Sequence, residues 1–373
     1  MSYVPGLEGV VVGETSISNV EGEIGRLSYR GRVIEDVVHL PYTEAMCLVL
    51  FGEVPGEDGL ELLEEYLYRF GRLSEAEVNL IASMPATVHP MQALQSVLSV
   101  VSLEDVRFRD RDMDTSHGLQ ILAKYPSIIA ALHASRGGGA NTGRFSESSD
   151  YLERFLMMFT DKKPTIDELE AYRIVQLLQL DHSFNAGTFA SRVISSTLAS
   201  VPAVLAGAAG ALSGVLHGGA DQAALLSARE VGRPGLAQHY VDELLASKGR
   251  LMGMGHREYR TVDPRARILK PLARDLCVGS ALENDFLILE ALETAFNKRM
   301  NERGKEVWAN VEFYKGVVYE ALGIPSDFFT ANFAMSRSVG WLAHFMESRA
   351  NNKIIRPAAL YVGPAVQVKV ARV

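Results

Sequence analysis

Three of the nine histidines sit in segments whose neighbours could support chemistry. In Leu216-His217-Gly218-Gly219-Ala220-Asp221, two glycines after the histidine let backbone approach a ligand closely. A helix starting at Ala220 would disfavour a cationic imidazole and leave a neutral ring able to donate to a carbonyl oxygen. A purely structural turn is the competing reading. In Gly253-Met254-Gly255-His256-Arg257-Glu258-Tyr259-Arg260, followed by Asp263-Pro264-Arg265, arginines crowd a histidine. Such arginines grip carboxylates or phosphates bidentately, or else line a solvated loop with internal salt bridges. The third segment, Asp181-His182-Ser183-Phe184-Asn185-Ala186-Gly187-Thr188-Phe189, gathers polar groups where a helix begins. A capping cluster explains it as well as a binding site does.

Three further residues extend the pattern. Arg337 lies on an apolar helix, where an unpaired charge is costly. Arg356 stands in Ile354-Ile355-Arg356-Pro357, and a buried arginine there would need a carboxylate from protein or substrate. Glu312 sits among apolar neighbours in Asn310-Val311-Glu312-Phe313-Tyr314, and partial burial makes a carboxylate a better base. The alternative is an ordinary acidic residue in a first helical turn. The histidines carry no HExxH or paired Cys/His spacing, so a metal site is the weaker reading.

The elements that must position these residues are mainly helical. Apolar stripes such as Leu63, Tyr66, Leu67 and Phe70, or Ile121, Tyr125, Ile128, Ile129 and Leu132, repeat at helical spacing. Helices are expected over 165–181, 185–200, 235–248, 264–277, 282–303 and 327–348. Ser74 with Glu77 and Thr165 with Glu168 have capping-box spacing. Strand-like alternation is confined to the ends. Residues 9–13 and 27–31 are expected to pair as a hairpin, and residues 365–370 to meet another edge. The glycine-rich stretch 137–143 reads as a surface connection, since it lacks a P-loop's preceding strand and GK[ST] ending. Composition shifts near 221–235 and 305–316 suggest a smaller domain inserted in a larger one.

The chain has 373 residues, long enough for two domains, with 47% apolar and 22% charged residues. A net charge of −8 offers no basic field for nucleic acid. Cys47 and Cys277 give no disulfide framework, and the N-terminus shows no signal peptide, so a cytoplasmic location is expected. The stretch Ile194–Gly219 has no charged residue, but its Ala, Gly, Ser and Pro202 fit a buried core helix better than a membrane span.

Taken in order along the chain, these segments resemble the citrate synthase family over nearly the whole length. The landmarks are GLEGVVVGETSIS…GRLSYRG from Gly6, His89-Pro90-Met91, DHSFNAGTFASRV from Asp181, LHGGA from Leu216, GMGHREYR…DPRA from Gly253, NVEFY from Asn310, and GWLAHFMES…IIRP from Gly340. The resemblance implies an all-α, two-domain helical fold with minor β structure at the termini. Residues 1–221 and 317–373 would form the large domain and 222–316 a small domain that closes over the cleft. It implies condensation of acetyl-CoA with oxaloacetate, then hydrolysis to citrate and CoA, the entry step of the tricarboxylic acid cycle. His217 would polarise the thioester, Glu312 take the methyl proton and His256 act on the oxaloacetate carbonyl. His182, Arg265, Arg337 and Arg356 would bind oxaloacetate, Arg356 by reaching across a homodimer, and Arg260 would contact CoA phosphate. It implies no metal and no cofactor, acetyl-CoA being a substrate, and neither a nucleic-acid partner nor a membrane.

Departures are equally specific. The family usually has Asp where this chain has Glu312, and one more methylene shifts the carboxylate by about 1–1.5 Å unless the backbone compensates. Asp221 stands where Asn is common, Val215 for proline, Gly187 for serine, and Glu258 for an apolar residue. A 2-methylcitrate synthase using propionyl-CoA would share the same catalytic residues, and a catalytically weak relative kept for binding or assembly is a third reading.

Overall fold

A computed structural model describes residues 3–138 and 144–365. Near its start, β1 (Ser18–Glu21), β2 (Arg26–Tyr29) and β3 (Arg32–Val33) form an antiparallel sheet in sequence order. Helices follow: α1 (Ile34–Val37), α2 (Tyr42–Phe51), α3 (Glu57–Phe70), α4 (Glu75–Ser83), α5 (Pro90–Ser99), α6 (Met113–Ser135), α7 (Tyr151–Thr160) and α8 (Ile166–Leu177). The second half holds α9 (Ala186–Ser196), α10 (Val201–Leu212), α11 (Ala220–Val231), α12 (Ala237–Ala246), α13 (Pro264–Cys277), α14 (Glu283–Glu302), α15 (Val311–Ala321) and α16 (Phe329–Ala350). The all-α expectation with minor β structure holds.

The hairpin differs from expectation. Ser18 pairs with Tyr29 and Glu21 with Arg26, while residues 10–15 form no strand. The turn chemistry decides: residues 22–25 make the reversal, with Gly25 at φ +62, and Glu21 and Arg26 close its end with two hydrogen bonds of 2.5 and 2.7 Å. Val10, Val11 and Val12 alternate without a face to bury, and all three are exposed. The charge-free stretch from Ile194 is not one helix either. Leu198 turns at φ +64 and Pro202 opens α10 at a position that lacks only an orphan N–H, so α9 and α10 are separate and packed together. The 365–370 strand and most of the 137–143 loop lie outside the described residues.

Burial is centred on α16, every residue of which is buried from Phe329 to Phe345. A helix apolar all round belongs inside a protein, and α2, α5, α6, α9 and α10 surround this one. The helices α11 to α15 pack chiefly on one another, with α13 along α15 and α11 against α14 and α15. Among the described residues no helix is long and apolar enough to cross a membrane.

Both expected capping boxes are present, and one anchors a buried charge network. Glu77 accepts from the Ser74 and Ser102 amides and pairs with Lys124 at 2.8 and 3.0 Å. Replacing Glu77 with Ala strands the buried Lys124 ammonium, so unfolding measurements should show a loss of about 3–5 kcal/mol. Thr165→Ala removes only a cap and should cost about 1 kcal/mol.

Candidate active site

The segment between α8 and α9 carries the first histidine. Asp181 is fully buried and accepts from Ser18 Oγ at 2.6 Å and the Ser183 amide at 3.2 Å, with His344 Nε2 also at 3.2 Å. These bonds fix the backbone that presents His182. Burial, then Arg265 and His256, hold its imidazole well below the usual range. Its Nε2 lies 3.2 Å from the Tyr259 hydroxyl, and its ring stands edge-on to His256 with centroids 5.2 Å apart.

The His256 loop is clamped on two sides. Asn310 donates its amide to Gly253 O and its side chain to Gly255 O, at 2.9 and 2.8 Å. On the other side, the hairpin turn comes so close that a Cβ on Gly22 would stand 2.0 Å from Glu258 O. His256 Nδ1 accepts from the Glu258 and Tyr259 amides at 3.0 and 3.2 Å. Those two donors assign the ring proton to Nε2. Arg265 Nη2, a second donor, lies 3.4 Å from that Nε2. An acceptor oxygen between them would satisfy both.

Asp263 organises the arginine. It caps α13 and takes Arg265 Nε and Nη2 bidentately at 3.0 and 2.9 Å. It also accepts from the Val311 amide at 3.2 Å, which ties Arg265 to the start of α15. Burial alone would raise this carboxyl, but Arg265 holds it below the usual range.

His217 precedes α11, whose N-cap Gly219 adopts φ +83, a conformation that a side chain would strain. Its Nε2 faces the Gly187 amide at 3.3 Å and Asn185 Oδ1 at 3.2 Å. Asn185 Oδ1 already takes the Thr188 amide, whereas the Gly187 N–H can only donate. The proton is therefore assigned to Nδ1. Burial first, then Arg337, lowers this imidazole to about 4, and burial with Arg265 lowers His256 to about 4. Both rings are neutral hydrogen-bond donors at neutral pH.

Arg337 is buried on α16, donates Nε to Gln179 O at 2.7 Å and stacks on Phe333. Among the described residues no carboxylate forms an ion pair with it. Glu312 stands in the first turn of α15, its amide capped by Asn310 Oδ1 at 2.9 Å. Its Oε2 pairs with Lys315 at 2.7 Å.

The structure thus gathers His182, His256 and Arg265, with His217, Arg337 and Glu312 joined to them through Asn185, Gln179 and Lys315. Arg260 and Arg356 stand apart: both are exposed, and their side chains make no hydrogen bond or ion pair with the described residues. Sequence reading gave no role to Lys315, Asp263, Gln179 or Asn185. Lys315 could have been found from its i,i+3 spacing to Glu312.

Neutral histidine donors and two buried arginines, Arg265 and Arg337, are thus brought together, an arrangement suited to an anionic carbonyl compound. The chain belongs to the citrate synthase family: the profile described as "Citrate synthase, C-terminal domain" matches residues 6–358. A citrate synthase of Synechocystis sp. is 36% identical over 97% of this chain and 91% of its own length. A 2-methylcitrate synthase 1 of Corynebacterium glutamicum is 32% identical over 96% and 94%. The citrate synthase of Thermoplasma acidophilum, solved as a ternary complex with carboxymethyl coenzyme A and oxaloacetate, superposes with a TM-score of 0.90 at 29% identity, covering 98% of this chain and 97% of that one.

The imidazole environments have a spectroscopic consequence. NMR signals of His217 and His256 should not titrate above pH ~5.5, because burial keeps both rings neutral. Between about 4 and the ordinary value of 6.5 the unfolded chain binds more protons at these rings than the folded one. Their contribution to stability therefore rises with pH across that window.

Proposed function

We propose that this protein condenses acetyl-CoA with oxaloacetate and hydrolyses the resulting citryl thioester to citrate and CoA. The observation that carries the reading is the convergence of two donors, His256 Nε2 and Arg265 Nη2, 3.4 Å apart. Oxaloacetate offers the carbonyl and carboxylate oxygens such a pair needs. Arg265 and Arg337, which forms no ion pair among the described residues, hold its carboxylates, and His182 lines the same space.

Glu312 takes a proton from the acetyl methyl group. The C–H electrons move into the thioester, whose oxygen accepts a hydrogen bond from His217 Nδ1. Preorganised donation of this kind is the main device for stabilising a developing oxyanion. The enolate carbon attacks the oxaloacetate ketone as His256 Nε2 gives its proton to the new alkoxide, and the proton taken by Glu312 returns through solvent to the His256 ring. Water then adds to the thioester carbonyl; one of its protons leaves with CoA as the thiol and the other is lost to solvent from the new carboxyl group. Each proton and electron pair then has a residue, product or solvent to go to, so the proposed route calls for no cofactor.

The finer parts of the reading rest on position. Exposed Ile354, Leu360, Tyr361 and Val362 flank Arg356 and favour a homodimer in which that arginine reaches the partner's site. Exposed Arg260, beside the His256 loop, is the proposed contact for CoA phosphate. The self-packing of α11 to α15 favours a small domain over 222–316 that closes on substrate and excludes water. Free, buried Cys47 and Cys277 favour the cytoplasm.

A thiol-release assay tests the reading. Wild type should release CoA from acetyl-CoA with oxaloacetate, Glu312→Gln should lower kcat on the order of 10²–10⁴-fold, and Arg337→Met should raise the KM for oxaloacetate. No release with acetyl-CoA or propionyl-CoA would sink the enzyme assignment and favour a binding or assembly role. Higher kcat/KM with propionyl-CoA would instead make the protein a 2-methylcitrate synthase, the activity named for the Corynebacterium relative; one methylene is worth only ~1–3 kcal/mol here. Sedimentation at micromolar concentration should give twice the 40.8 kDa chain mass.

A further inference from the structure

Lys315 is fully buried on α15 and bound on three sides. Its ammonium lies 2.7 Å from Glu312 Oε2, 3.2 Å from Asp221 Oδ2 and 2.8 Å from Gln179 Oε1, with the Phe333 ring 4.2 Å away. These groups come from four elements: α15 itself, α11, the segment after α8, and α16. Two of them, Glu312 and Asp221, are the positions at which the chain departs from the family's usual Asp and Asn. These two departures thus form one cluster, two carboxylates sharing one ammonium.

We propose that Lys315 is a positioning residue for the catalytic base, holding Glu312 by Oε2 so that Oε1 faces the substrate. The proposal rests on the assignment of Glu312 as base. A glutamate has one more rotatable bond than an aspartate and sweeps a wider arc. An ammonium fixed by Gln179 and Asp221 selects one arrangement from that arc. Oε1 accepts no hydrogen bond from the described residues, so it remains available for a proton. Burial raises the Asp221 carboxyl; Lys315 opposes that rise, and the Glu312 charge adds to it, so the two acids are linked through the shared ammonium.

The variant Asp221→Asn/Lys315→Met removes the tether while leaving the cluster's net charge unchanged. Lys315→Gln, which retains a donor, carries the same test where the double variant does not fold. Under thiol release, kcat should fall ~10–100-fold, the scale expected for a base misplaced by about 1 Å, with the KM for oxaloacetate within about threefold of wild type. A folded variant with wild-type kcat overturns the proposal, as does a loss confined to KM or to melting temperature. Glu312→Gln separates the two readings. If it is as active as wild type, the base assignment itself fails. If it is inactive while the tether variant is fully active, only the positioning role fails.

Discussion

The Asp263 carboxylate is the interaction on which the site depends. One buried group caps α13, grips Arg265 from two sides and accepts the first amide of α15. Through these bonds Arg265, the His256 loop and the helix that carries Glu312 are held in one frame. A carboxylate so deeply buried is tolerated only because each of its lone pairs meets a donor. Removing it would free Arg265 to collapse on whatever acceptor is nearest. The same frame is locked from behind by Asn310, which spans Gly253 and Gly255, and by the hairpin turn at Gly22.

Charge balance follows from this arrangement. Arg265 is neutralised by Asp263, whereas Arg337 forms no ion pair among the described residues and feels Asp181 and Glu312 only at longer range. The three histidines are neutral, so the two guanidinium groups are the local cations available to an anion even though the chain charge is −8. In the proposed reaction the substrate carboxylates would relieve the desolvated guanidinium of Arg337. That is why global acidity said little about the ligand.

Much of this was legible in the sequence, for identifiable reasons. The span expected for α13, 264–277, is the one observed because Asp263 and Pro264 make an unambiguous start and Val278 leaves the helix. Both capping boxes were readable because their two bonds are local. The hairpin was misplaced because β-branched alternation at Val10–Val12 has no partner face, and only tertiary packing reveals that. The helix expected over 165–181 stops at Leu177 because the polar segment after it turns inward to deliver Asp181 and His182. In the site, sequence reading picked out residues in glycine-flanked motifs as candidates and passed over Lys315 and Gln179. Lys315 shows only an i,i+3 spacing to Glu312, and its bond to Gln179 spans 136 residues, which no local pattern encodes.

Four of the candidate residues share one further property: they sit at, or just ahead of, the N-terminal end of a helix. His182 lies ahead of α9, His217 ahead of α11, Arg265 in the first turn of α13 and Glu312 in the first turn of α15. Converging helix N-termini present partial positive charge and free amides. That field acts on every group in the same sense. In the proposed reaction it attracts a dicarboxylate substrate, and an enolate generated beside such helix ends is stabilised by the same amides and dipoles. Burial is what keeps His217 and His256 neutral, so they donate without adding a cation to the site. Binding an anion and lowering the cost of a developing negative charge are thus one electrostatic consequence of where the helices begin, while the neutral histidines follow from how deeply they are buried.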